Sequence, residues 1–279
     1  MPAIHLPRLQ QQVEGLIEHY ADPEKFSRQL RDLFNYYGDK TRRPSLKSKK
    51  VIGLPSENVP APVLRQVVMQ LTPYAENTPH AILNLSRSLW NHFVMEYRQL
   101  AALLIGKIPI SHQEDTFKLV QEWNLQNQEE LLLSVLSANS LATIRQEAPE
   151  TLLTRIETWL APAPDDESLN KSQIIALQRL GLNALLPFIQ DPGFENLPRI
   201  YTLIDPLLRE SAKALRPDLL DVLLSLASRS PQEVAYMLRA LLEEDPSVQI
   251  TWLARRTLDA LPPENQARLK PLVTPRREE

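Results

Sequence analysis

The chain has 279 residues, 43 % of them hydrophobic, with 31 basic and 34 acidic side chains, six glycines and no cysteine. Without cysteine there are no disulfides, no thiolate catalysis and no Cys-ligated metal. The glycines at 15, 38, 53, 106, 181 and 193 are too scattered to form G-x-G-x-x-G or G-x-x-x-x-G-K-[ST], which excludes the common phosphate-cradling loops.

Apolar residues recur at helical spacing from the start: Leu6, Leu9, Val13, Leu16, Ile17 and Tyr20. Asp22-Pro23 then supplies a cap and a first-turn proline, followed by Phe26, Leu30, Leu33, Phe34 and Tyr37. Residues 40–50, KTRRPSLKSKK, hold six basic side chains and no acidic one; without them 25 basic side chains stand against 34 acidic ones, a net charge of −9. Such a loop is either a solvated connector or a phosphate contact, where clustered Lys and Arg gain affinity by releasing counterions.

Residues 62–74 are amphipathic. The stretch 82–108 predicts a helix pair joined near Trp90–His92, with a stripe of Leu85, Leu89, Tyr97, Leu100, Ala101, Leu104 and Ile105. Glu96 and Arg98 flank that stripe. Further amphipathic pieces run over 114–125, 128–138, 149–160, 169–189, 197–214, 217–228, 231–243, 247–261 and 264–273. Pro23, Pro62, Pro149, Pro217, Pro231, Pro246 and Pro263 read as helix starts, because proline lacks only a donor that the first turn leaves unpaired. The string DPGFENLPRI at 191–200 reads as an ordered loop, with Phe194 and Leu197 stapled to the next helix.

No alternating strand run of useful length appears, and Asn-Gly and Asp-Gly hairpin signals are missing. Short helices in succession with no strict repeat signature predict an all-α, HEAT-like helical-repeat solenoid, a curved α-α superhelix. A compact multi-helix globule is the alternative. The expected organisation is one repeat domain over 1–279, with a seam or a plain interhelical loop at 161–168, a basic loop at 40–50 and a flexible tail at 274–279.

No run approaches the about 20 apolar residues of a membrane span. The first residues, MPAIHLPRLQQQ, lack a basic region followed by an apolar run. A cytoplasmic protein with no membrane partner is expected. The five histidines, at 5, 19, 80, 92 and 112, show no H-x-x-x-H or H-x-H spacing, so no metal and no cofactor is expected. No G-x-S-x-G elbow occurs.

Three segments, in order, resemble the DNA alkylation repair family, the HEAT-like alkylpurine DNA glycosylases. The first is VIGLPSENVPAPVLRQVVMQL, 51–71, through Gly53 and Arg65. The second is SLWNHFVMEYRQLAALLI, 88–105, through Trp90, Glu96, Arg98 and Ala101. The third is QITWLARRTL, 249–258, through Trp252 and Arg255. The resemblance implies a concave helical surface that holds duplex DNA by its backbone. It also implies aromatic side chains against the deoxyribose and a carboxylate that stabilises the sugar cation left as the alkylated base departs.

At the position the resemblance gives to the carboxylate stands Glu130, which with Glu129 also reads as a helix N-terminal acidic pair stabilised by the helix dipole. Gln126 stands where the family carries an aromatic, and Trp123 lies one turn earlier. Where the family has an aromatic followed three residues later by Arg, this chain has Ser168 and Lys171. Trp252 is the second catalytic candidate, or else a core aromatic. The DNA-binding candidates are Arg42, Arg43, Lys47, Lys49, Lys50, Lys171, Arg255 and Arg256. The interval between Lys171 and Trp252 is longer than the family pattern requires, which predicts an extra repeat. The expected function is duplex DNA binding by a monomer, with weakened alkylpurine excision. The alternative is a non-enzymatic scaffold with a protein partner, in which the basic residues scatter and an apolar or acidic groove is exposed.

Overall fold

The computed structural model describes residues 5–39, 53–127, 129–161, 169–244 and 246–273. Among them every regular element is helical, and helices take up 81 % of the structure. In chain order these are α1 (Leu6–Ile17), α2 (Pro23–Tyr37), α3 (Ala61–Asn77), α4 (Pro79–Trp90), α5 (Met95–Ile105), α6 (Gln113–Gln126), α7 (Glu130–Ala138) and α8 (Ala142–Glu147). They continue with α9 (Pro149–Leu160), α10 (Lys171–Gln190), α11 (Leu197–Arg209), α12 (Arg216–Arg229), α13 (Pro231–Glu244), α14 (Val248–Thr257) and α15 (Pro263–Val273). The basic loop at 40–50, most of the 161–168 seam and the 274–279 tail lie outside the described residues.

Local chemistry accounts for the helix boundaries. Asp22 accepts from the Lys25 N–H at 3.1 Å, and Pro23 opens α2. Asn170 and Gln173 form a reciprocal capping box at the start of α10. Ser247 caps α14 by accepting from the Ile250 N–H. Pro246 therefore lies outside the helix, one residue before its cap, and does not start it. Pro73, Pro187, Pro206 and Pro271 lie inside helices. The helix beginning near Pro62 thus runs on through Asn77 rather than stopping at 74. Two long readings are shortened. The piece at 197–214 ends at Arg209 and resumes as a 3-10 turn at Lys213–Leu215, and α14 gives way to a 3-10 turn at Leu258–Ala260. The short helix α8 had no sequence signal, since six residues are too few to show a period.

The chain divides into two compact units, Met1–Leu152 and Leu153–Glu279. In the first, α1, α3, α5 and α7 pack in one row and α2 with α4 in another. In the second, α10, α12 and α14 form one row and α13 with α15 another. Helices one apart and two apart in sequence are thus neighbours, the arrangement of an all-α helical repeat. The predicted stripe is wholly buried, from Leu85 to Ile105. Close approach fixes one glycine. A Cβ on Gly106, at the end of α5, would fall on the Asn139 carbonyl oxygen, and the Gly106 carbonyl accepts from Thr143 Oγ1 at 2.7 Å.

The repeat that no sequence signature betrays is written in the polar ties. Glu96 reaches back 40 residues to Ser56, and Ser140 donates to the Ala102 carbonyl 38 residues earlier. Arg179 pairs with Asp218 over 39, and Gln249 donates to the Leu207 carbonyl over 42. The Leu54–Glu129 bond spans 75, close to twice that interval. A period near 40 residues is that of HEAT-type helix pairs.

Candidate functional site

The first unit is built around the loop Gly53–Pro60 and the N-terminus of α5. Glu96, only 3 % exposed, accepts from Ser56 Oγ at 2.6 Å, from the Glu57 N–H at 3.1 Å and from the Val59 N–H at 3.4 Å. The Met95 N–H donates to the Pro55 carbonyl, and Glu129 accepts from the Leu54 N–H at 2.9 Å. A carboxylate engaged by three donors is a clamp on the loop rather than a group poised to react.

Arg98 is buried as well. Its Nε donates to the Trp90 carbonyl at 3.1 Å and to the His92 carbonyl at 3.3 Å. Its Cζ lies 5.0 Å from the centres of both the Trp90 and Phe93 rings. Burial lowers the Arg98 pKa from the usual guanidinium value. Trp90 stacks on Trp123 at 4.4 Å and 5°, and its Nε1 donates to Gln126 Oε1 at 3.4 Å. The motif residues that flank the sequence stripe are therefore interior. Trp123 and Gln126 both contact Trp90. His92 stacks on Tyr97 at 4.5 Å, and burial together with the nearby Arg31 charge depresses its pKa. Burial, then the Glu57 charge, pushes the Tyr97 phenol up to about 12 against a lowering by Arg31.

Glu130 is exposed in the first turn of α7, directly after Glu129 at the cap position. That is where the helix dipole favours a negative side chain.

The second unit holds the remaining described candidates. Lys171 is exposed at the first position of α10. Trp252 is half-buried on α14 and is not a core aromatic. The Arg216 and Arg256 Cζ atoms stand 5.9 Å and 5.5 Å from its ring centre. Arg255 is taken up otherwise, donating from Nε to the Val273 carbonyl at 2.6 Å and so closing the end of α15. Of the expected residues, the structure brings Arg256 to Trp252. Arg42, Arg43, Lys47, Lys49, Lys50 and Ser168 lie outside the described residues.

Sequence reasoning missed Arg216. Its Nε is buried without a hydrogen-bond partner among the described residues, and it sits beside Trp252 from a position 36 residues upstream. That separation is close to one structural period, the only signal that could have found it. Also missed was a cluster on α10 and α12. Arg179 Nε pairs with the buried Asp218 at 2.9 Å, Asn183 Nδ2 donates to the same carboxylate at 2.8 Å, and burial with the Asp218 charge raises the Asp221 pKa. The 191–200 loop is ordered by Arg229, whose guanidinium donates to the carbonyls of Phe188, Ile189, Asp191, Pro192 and Phe194. Phe194 packs back on Phe188 of the preceding helix at 4.9 Å, so its staple runs toward α10 and not toward α11.

No cluster of three or more His, Asp or Glu residues able to hold a metal ion occurs among the described residues, and no helix there is long and apolar enough to cross a membrane.

Stacked helix pairs, with a half-buried tryptophan near two arginines on the second unit, define an all-α helical-repeat protein. The family model described as DNA alkylation repair enzyme matches residues 30–255. The chain belongs to that family, as the three resembling segments implied. No curated protein and no solved structure matches it.

Proposed function

We propose that this protein binds duplex DNA through its phosphate backbone and excises alkylated purines slowly or not at all. The observation that carries the reading is the Trp252 cluster, in a chain whose family match covers most of its length. The Arg216 and Arg256 guanidinium groups both lie near the ring, and Arg256 is exposed. A planar aromatic face suits a sugar, and guanidinium groups suit phosphate oxygens. The weak side of the chemistry is also local. Glu96 is committed to three loop donors, and Gln126 to the Trp90 indole. Glu130, exposed in the first turn of α7, is the candidate anion for a sugar cation, with Trp252 as the aromatic candidate.

The excision test is release of 7-methylguanine from methylated duplex DNA by the wild type, Glu130→Gln and Trp252→Ala. Slow release, abolished in both variants, is expected. Robust release that survives both overturns the assignment of these residues. The binding test replaces Arg42, Arg43, Lys49 and Lys50 by Ala together. A log–log salt slope of roughly −5 should flatten by about three to four units. An unchanged slope would make the loop a solvated connector.

A further inference from the structure

A second feature of the Leu153–Glu279 unit has nothing to do with phosphate. Between α11 and α13 lies a cleft of about 770 Å³. Leu197, Pro198 and Tyr201 line it from α11, and Tyr236, Met237 and Ala240 from α13. The lining positions step by three or four along both helices, from Leu197 to Arg209 and from Gln232 to Leu241. At 1.5 Å per residue that makes a trough roughly 15 Å long or more. Tyr236 stands 77 % exposed at its edge, a large aromatic surface left in water. Tyr201 Oη and Ser230 Oγ are joined at 2.6 Å, so the floor is fixed at one end.

The rim is acidic. Glu195 and Glu233 border the cleft, and Arg209, the one basic side chain among the lining residues, is matched by Asp205 beside it. That guanidinium is already claimed by Asp205 at 2.9 Å and by Glu244 at 2.8 Å. The unmatched lining charge is negative, which disfavours a phosphate backbone. Both walls are helices, whose mid-segment backbone groups are bonded internally, so an extended peptide has no edge to pair with. An occupant must satisfy its own backbone, offer an apolar stripe at three-and-four spacing and carry positive flanks.

We propose that the α11–α13 cleft is a docking groove for a basic amphipathic helix of a protein partner. The groove is independent of the DNA-binding reading, since it shares no residue with the Trp252 cluster.

The probe is a fluorescein-labelled helical peptide of about 14 residues, made of Leu and Lys with Leu at i, i+3, i+4 and i+7. Its controls are a scrambled peptide of the same composition and a Leu/Glu version. With the full chain, the Leu/Lys helix should bind saturably by fluorescence anisotropy and slow amide exchange in Leu197–Arg209 and Pro231–Glu244. Tyr236→Ala and Met237→Asp should each weaken it at least about tenfold. Tyr236 is exposed, so its replacement tests the groove without touching the core, and an unchanged circular dichroism spectrum checks Met237→Asp. Equal binding by the scrambled or Leu/Glu peptide, indifference to Tyr236→Ala, or no saturable binding overturns the proposal. Protection of these two helices by duplex DNA instead would assign the cleft to nucleic acid and overturn it as well.

Discussion

Trp90 and Trp252 each lie beside an arginine, and the two arrangements serve opposite ends. Trp90 is 1 % exposed, stacked on Trp123 and tied to Gln126, and its arginine spends its Nε on two backbone carbonyls. Trp252 is half-buried, with the guanidinium of the exposed Arg256 5.5 Å from its ring centre. The same two residue types, joined by the same attraction between a cation and a ring face, make a keystone where water is excluded and an open surface where it is not. What separates them is burial: Arg98 is enclosed against two backbone carbonyls, whereas Arg256 stands exposed.

The largest effect that tests this contrast is on stability. Trp90→Ala should cost about 3–5 kcal/mol by cavity formation, whereas Trp252→Ala should cost well under half of that. Equal melting temperatures for the two variants would erase the distinction. Next, Glu96→Ala strands three donors and should cost about 3 kcal/mol in denaturant unfolding, with Glu96→Gln much milder because an acceptor remains.

A pH effect of smaller size follows from Tyr97, whose phenol is held at about 12 against an ordinary 10. Below pH 10 both folded and unfolded forms are neutral, and its contribution is fully present. As pH rises from 10 toward 12 the unfolded chain loses a proton that the folded one keeps, and about 2 kcal/mol should be lost. Tyr97→Phe should abolish that portion of the alkaline loss. The smallest stability change belongs to Arg256→Ala, within about 0.5 kcal/mol. Its mark should instead be on DNA, a salt slope shallower by about one unit. A large loss of stability in Arg256→Ala would mean that the Trp252 cluster is as structural as the Trp90 one.

The helices were legible because they are amphipathic and punctuated: Leu85 to Ile105 repeat at the right steps, and Asp22-Pro23 marks a start. The polar interior was not. Glu96 and Arg98 look like solvated charge beside a stripe, since nothing along the chain announces that Ser56, Glu57 and Val59 will converge on one carboxylate. Periodicity finds positions that face the core through their apolar neighbours; it is blind to a charged residue buried by a partner 40 residues away. The family's residue types pointed to Trp252 and Arg255; Arg256 stands beside that ring, whereas Arg255 turns to the Val273 carbonyl. Arg216 took the place at the ring by virtue of a separation no linear motif encodes. The cleft between α11 and α13 was out of reach for the same reason, because Tyr236 and Tyr201 read as two ordinary helix residues.

The ties at intervals near 40 residues bear on how such a chain grows. Closing a loop of 40 residues costs about 3 kcal/mol plus a constant, and the cost rises only with the logarithm of loop length. Because Ser140 answers to Ala102, and Gln249 to Leu207, each closure is local to one period and draws on segments already in place. The entropic toll of the whole therefore accumulates period by period instead of compounding with distance between the ends. A further helix pair can be duplicated into such a chain at the expense of one more closure, without lengthening any loop that already exists.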